Sequence, residues 1–400
     1  MNWTITVYDD WDAIWCEEHL AKWMTLMDAS SEANMFFHPS MVKAWVETYL
    51  PIRNLTPIFM WVKADDGNEA FFPLVKWRKN WKHFFVSTII PVGYSDYDYH
   101  DPVFKHRPDS ESINIFWDSL YHCLESYQAD TIEITGIHPN LLPESAKVWV
   151  QEEACPYLAL DGINNEPELM QFFKSSLRGD IRRQIRRLSE FGELHIKEYK
   201  TWSEIEPTFD EFMQKHTLRW PNAYKAPLFH KRLLSDKMLE TTTHFSSLNI
   251  GEKPIAWHLG FSYKGIYYYY MPAGDNDYST YSPVKVHLYF LMERAVRLGY
   301  VKYDHLRGEE NYKAGWSSAC DHLYRKYDQR TAVGSRIRCS FDCLLQKIMK
   351  EMDNMYVNYK NIARRIIRRG GVILDFQFVN ADYRSCGFIP SLSSVELVNA

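Results

Sequence analysis

The chain has 400 residues, a formal net charge of −5 and a hydrophobic content of 46%. That length is more than one hydrophobic core usually serves, so two domains are expected, and the apolar content excludes a disordered chain. The acidic balance, with a pI near 6.3, argues against a general nucleic-acid grip and makes any phosphate recognition local.

In chain order, the N-terminal stretch MNWTITVYDDWD is acidic and lacks an apolar signal core. No window approaches the ~18 apolar residues of a spanning helix, so a cytoplasmic protein without a membrane span is expected. The seven cysteines are an odd number without a CxxC pair, which fits free thiols in a reduced cytosol. Residues 1–160 predict a mixed α/β unit. Strands at Pro57–Val62 and Ala70–Lys76 flank the turn ADDGNE, residues 112–127 carry apolar positions at helical spacing, and Thr131–Ile137 is the next strand. Between them PVGYSDYDYHDPVF reads as a loop, whose aspartates and tyrosines suit a cleft as well as ordinary turns.

The second unit, 161–400, opens near Glu166 with an arginine-rich helix. There Phe173, Leu177, Ile181, Ile185 and Leu188 form an apolar stripe, bordered by Arg178, Arg182 and Arg186, with Arg183 and Arg187 further outward. A solvated face and an anion grip both suit that pattern. Helices at 203–220 and 227–239 follow, then a three-strand antiparallel meander at 244–251, 255–265 and 266–274. A helix at 284–299 ends at Gly299, a strand covers YVKYDHL, and a long amphipathic helix spans about 337–369 before a last strand, VILDFQFV. The fold class is therefore α/β (α+β).

Two stretches carry chemistry. Four consecutive tyrosines, Tyr267 to Tyr270, place two phenols on each face of a strand. The loop after them feeds a helix at Ser282, Pro283, Lys285 and His287, which suits an anion cradle and an ordinary capped helix equally. Further on, YDHLRGEENYKAGW packs Asp304, His305, Arg307, Glu309, Glu310, Tyr312 and Lys313 at a strand end, where they face either water or a ligand. No HExxH, Cys/His cluster, Walker loop or GxSxG elbow occurs, so no metal is expected.

Taken in order, F-x₅-R-x₃-RR-x₂-RRL-x₃-G, H-x₂-RW, the Gly-x-x-Pro-Ile-Ala strand pair, YYYY-x₃-GD-x₂-Y-x₂-YSP and YD-x-LRG-x-E-x-YK-x₂-W resemble the CelD-type acetyltransferases. These belong to the GNAT superfamily and are related to the FemAB-like transferases. The resemblance runs from about Phe172 to Trp316 and is weaker over 1–160, where the family has another GNAT-like half. It implies two GNAT-like domains, each a mixed, mostly antiparallel sheet flanked by helices.

It also implies transfer of an acyl group from acyl-CoA to an amine. The pantetheine would run beside Tyr268 and Met271, and the pyrophosphate would rest at Ser282, Lys285 and His287, with Lys313 nearby. His258 is the first candidate base, Asp304 and Glu310 compete with it, and Tyr270 is the candidate acid. His216, Arg219 and Trp220 match the acceptor-side motif; Arg182, Arg183, Asp275, Arg307 and Tyr312 complete the expected acceptor contacts. One position departs from the pattern: Val284 stands where the family commonly has glycine, and a side chain there limits backbone approach to a phosphate.

The implied acceptor is a nucleotide-linked amino sugar, such as a dTDP-amino-dideoxyhexose, used for surface polysaccharide. A small-molecule acceptor, no nucleic-acid partner and room for a homodimer complete the expectation. The alternatives are a FemAB-like aminoacyl transferase of peptidoglycan synthesis, a nucleic-acid-binding module using the arginine helix, and a non-catalytic GNAT-like binding protein.

Overall fold

A computed structural model describes residues 2–94, 96–143, 148–221, 226, 228–235, 241–308 and 310–367, without the side chains of 353 and 356–367. The chain divides into one unit of Met1–Trp77 with Ser87–Asp328, and another of Arg78–Val86 with Gln329 onward.

The larger unit is built on one sheet. Its strands are β1 (Trp3–Tyr8), β2 (Asn54–Ala64), β3 (Glu69–Arg78), β4 (Ser87–Pro91), β5 (Val103–Phe104), β6 (Thr131–Ile137) and β7 (Val150–Ala159), then β8 (Leu194–Tyr199), β9 (Thr243–Ile250), β10 (Lys253–Tyr263), β11 (Ile266–Gly274), β12 (Lys302–Asp304) and β13 (Ala319–Gln329). Their order is β1-β2-β3-β4-β6-β13-β7-β12-β11-β10-β9-β8, with β5 beside β3. That order is the same pattern read from either end: a four-strand run, then a strand that joins it in parallel, β4 to β6 and β11 to β12. The centre is crossed over. β7 follows β6 in the chain but lies beside β12, and β13 follows β12 but lies beside β6. The result is one mixed, mostly antiparallel sheet flanked by helices, where the resemblance implied such a sheet in each of two domains.

Helices α1 (Trp11–Ile14), α2 (Glu17–Ala29), α3 (Pro39–Tyr49) and α4 (Ser110–Glu125) belong to the first half of the chain; α5 (Glu166–Phe172), α6 (Ser175–Ser189), α7 (Trp202–Arg219), α8 (Phe229–Ser235) and α9 (Pro283–Arg297) belong to the second. The smaller unit holds α10 (Val333–Ile367). The near-continuous apolar run of β2 is buried on both faces, as a strand covered by helices on one side and core on the other must be. In the second half, Leu158, Tyr267, Tyr269, Leu291 and Trp316 pack in one core, and Phe212, Trp257, Leu259 and Met271 in another.

Several boundaries differ from the sequence reading. The arginine helix is two helices, because Phe173 and Lys174 are extended and break it before Ser175. Strands β7, β8 and β13 carry mixed polar and apolar residues with weak alternation, and the periodicity did not announce them. The expected strand VILDFQFV lies outside the described residues, as does part of the 227–239 helix.

Candidate active site

Strands β11 and β12 pair only at Ile266–Lys302, Tyr267–Tyr303 and Tyr268–Asp304. β12 then stops at Asp304, while β11 continues to Gly274, so a wedge opens between them. At the mouth of that wedge β11 bulges. Leu259 faces Met271 and Phe261 faces Tyr268, which leaves Tyr269 and Tyr270 opposite the single residue Gly260. Such an insertion takes backbone groups out of the ladder and re-aims the side chains beside it. Gly260 makes this possible: a Cβ there would lie 2.5 Å from His258 Cε1 and 2.7 Å from the Tyr268 carbonyl oxygen.

The wedge leads into a cavity of about 260 Å³. Its walls come from five places. Asp96 and Asp98 arrive on the Gly-Asp-Tyr loop of the first half; His216 and Trp220 come from the end of α7, and His230 from α8; Tyr270, Met271 and Pro272 come from β11; the segment after β12 supplies His305, Arg307, Glu310, Tyr312 and Lys313. The segment after β12 is held by Asp304, whose Oδ1 accepts from the Leu306 N–H at 2.9 Å and from Tyr99 OH at 2.8 Å. Lys313 is buried and donates to the Arg307 carbonyl at 2.8 Å, with Glu310 at 3.0 Å. The Arg307 guanidinium reaches Glu152 at 2.7 Å, but its buried Nε has no partner among the described residues.

Burial sets the protonation states here. It raises the Asp98 carboxyl to about 7, with Asp304 adding to the rise, even though Arg307 and Lys313 pull the other way. Burial also lifts the Tyr270 phenol well above its ordinary range, so it stays protonated; its OH donates to the Asp96 carbonyl at 3.2 Å and lies 3.3 Å from His230 Nε2. The histidines are driven the opposite way: burial lowers His230 to about 3 and His305 to about 4, leaving neutral imidazoles at pH 7. His216, also lowered by burial, bonds through Nδ1 to the Pro272 carbonyl at 2.9 Å.

Of the residues singled out in the sequence, the cavity gathers Tyr270, Met271, Glu310 and Lys313, with His216, Trp220, Arg307 and Tyr312. The others lie elsewhere. His258 sits on the opposite face of the sheet, stacked 4.3 Å from the Tyr269 ring and 3.2 Å from Tyr267 OH, and burial holds its pKa well below the ordinary value. Asp304 and Tyr268 line a second, separate cavity of about 210 Å³, where Lys302 pairs with Asp304 at 3.0 Å. His287 faces the sheet core and bonds Ser246 Oγ at 3.0 Å. Asp275 is held by Lys215 at 2.6 Å and caps the turn at 276–281.

At the start of α9, Ser282 has a left-handed φ of 50° and its carbonyl accepts from the Lys285 and Val286 N–H groups. Lys285 is tied to Asp180 of α6 at 2.6 Å, and Asp180 also binds Arg183. The Val284 side chain lies over β11, where a Cβ on Gly274 would come within 2.5 Å of it. Arg182 and Arg219 are exposed; Arg187, by contrast, stacks 4.4 Å from the Tyr281 ring and donates to the Thr280 carbonyl. Asp98 and His230 were not singled out in the sequence. The Asp/Tyr density of GYSDYDYHD is the signal for the first, and nothing local marks the second.

The first half has the corresponding parallel pair, β4 with β6, but its wedge is filled. The His100 N–H donates to the Gly136 carbonyl at 2.9 Å across it, and Tyr97 packs over Gly93.

Comparison with known proteins agrees with this geometry. Residues 175–314 match the model of a family described as an acetyltransferase (GNAT) domain. No curated protein matches the chain in sequence. Among solved structures, FemX is similar over 76% of this chain and 95% of its own, at 12% identity and a TM-score of 0.52. A conserved protein of unknown function from Bacteroides thetaiotaomicron covers 82% and 100%, at 13% identity and a TM-score of 0.50. A tandem GNAT protein from the clavulanic acid biosynthesis pathway covers 83% and 100%, at 8% identity and a TM-score of 0.43. The match over 175–314 spans the wedge, the bulge and the start of α9, and supports an N-acyltransferase.

Proposed function

We propose that the chain transfers an acyl group from acyl-CoA to an amine in the cavity between the Asp96–Asp98 loop and Lys313. The observation that carries this reading is one space holding a carboxyl raised to about 7, a phenol held protonated and two cationic side chains. The donor supplies an activated thioester carbonyl. Asp98 takes a proton from the acceptor ammonium, since a base poised near the working pH is the most effective. The amine then forms its bond to the carbonyl carbon, and N–H groups of β11 past Tyr268, where β12 no longer pairs with it, serve the developing oxyanion. As the carbon–sulfur bond breaks, Tyr270 gives its proton to the departing thiolate, and the surplus proton on the new amide nitrogen passes to the Tyr270 oxygen in its place.

The acceptor in this reading is a nucleotide-linked amino sugar, such as a dTDP-amino-dideoxyhexose of surface polysaccharide synthesis, acylated in the cytoplasm. Trp220 and Tyr312 offer flat apolar faces, and the unpartnered Arg307 Nε offers a donor for a diphosphate oxygen. Acyl-CoA consumption against a panel of dTDP- and UDP-linked amino sugars tests it. If no amino sugar is acylated by any short acyl-CoA, the acceptor is wrong; if acetyl-CoA gives no thermal stabilisation, the donor is wrong as well. A second reading, FemAB-like transfer from aminoacyl-tRNA, is favoured by Val284, which crowds the place where a CoA pyrophosphate would rest. Transfer of a labelled amino acid from charged tRNA to a peptidoglycan precursor would decide for it.

A further inference from the structure

We infer that α10 and the aromatic turn at Trp81–Phe85 dock this protein on an anionic phospholipid surface. α10 has 35 residues, about 50 Å of helix. Its covered side is narrow: Ser335 is buried, and Cys339, Asp342, Leu345 and Met349 are half-buried. On the other side Ile337, Phe341, Leu344, Ile348, Met352 and Met355 are 45–64% exposed. At 3.6 residues per turn these six fall within about 80° of arc, so they form one continuous stripe.

The turn extends that stripe. Phe84 meets the Phe341 ring at 5.3 Å, while Asp342 anchors the turn through His83 at 2.8 Å and Lys79 at 3.7 Å. Beside this contact Trp81 is 63% and Phe85 52% exposed. Charge then selects the occupant. Residues 78–86 and 329–352 hold eight lysines and arginines against two acids, in a chain whose net charge is −5. Arg336 and Lys347 are exposed on one flank of the stripe and Arg338 on the other.

An apolar stripe with a basic border and exposed Trp and Phe is the composition that lies in a bilayer interface and is drawn to anionic headgroups. Among the described residues no helix is long and apolar enough to cross a membrane, so α10 lies along the surface. A second copy of the chain is the poorer occupant, because pairing two identical stripes would bring their basic borders together.

Flotation of the full chain with vesicles of equal parts phosphatidylcholine and phosphatidylglycerol tests this. The wild type should float with these vesicles and not with pure phosphatidylcholine, and added salt should release it. Leu344→Glu with Ile348→Glu should lower the bound fraction about tenfold or more. Arg338→Gln with Lys347→Gln should lower it by roughly fivefold for each charge removed. The inference is overturned if the wild type does not float with the anionic vesicles, or if the glutamate variant floats as well as the wild type. It is equally overturned if the stripe proves a seam between copies, with a dimer that Ile348→Glu splits and no flotation, or if the segment binds RNA and ignores vesicles.

Discussion

Asp98 illustrates how surroundings reset the chemistry of one side chain. In water its carboxyl would be ionised well below neutrality; in the cavity wall burial lifts it to about 7. As a base it must be unprotonated, so turnover should rise with pH through about 7, and Asp98→Asn should lose that limb along with about 100- to 1,000-fold in kcat. Stability runs the other way. The folded pKa lies above the unfolded value near 4, so the fold favours the protonated form. Its contribution is complete below about pH 4 and is lost as the pH rises through about 7. Melting curves of the wild type and Asp98→Asn should therefore diverge across that window, with the wild type losing ground as the pH increases. Tyr270→Phe removes only the hydroxyl; kcat should fall by about tenfold or more while acetyl-CoA binding, followed by thermal shift, is retained.

At the scale of elements, the β11 bulge and the start of α9 carry the predictions. Gly260→Ala would press a methyl into His258 and the Tyr268 carbonyl, and a backbone neighbour cannot rotate away. A loss of about 1–3 kcal/mol in denaturant unfolding is expected, with activity reduced because the bulge moves. Val284→Gly withdraws the side chain that lies over β11 and frees the first turn of α9 for an anion. A lower Kd for acetyl-CoA in the variant supports CoA at this helix end; an unchanged Kd with intact turnover would place the pyrophosphate elsewhere. α6 shows what periodicity can deliver: Ile181 and Leu188 are buried as its stripe requires, but Arg187 finds its partner only on the turn at 276–281, far along the chain.

At the scale of the molecule, the crossed centre of the sheet ties the two halves together. A fragment ending at residue 160 would keep β7 without its neighbour β12 and would lose β13 from beside β6. Residues 1–160 and 161–400 expressed separately should be largely unfolded by circular dichroism, and should recover structure when mixed. Two fragments that each melt cooperatively would argue that the crossover contributes little.

The strands at 57–62, 70–76, 131–137 and 266–274, the helix before 299 and the mixed α/β class were legible in the sequence, because apolar spacing is a local property that burial on a sheet enforces directly. So was the clustering of charge after that strand, which the structure gathers as His305, Arg307, Glu310 and Lys313 along one wall of the cavity. The pairing of β7 with β12 and β13 was not legible, since it joins segments about 150 residues apart whose own alternation is weak. The same limit applied to the site. His258 carries the right group but points into the core, whereas Asp98 became a plausible base only where a loop of the first half closes over a wedge in the second. Sequence by itself determined which side chains were on hand; tertiary structure decided which of them share a cavity and how burial sets their protonation, because desolvation depends on every neighbour at once.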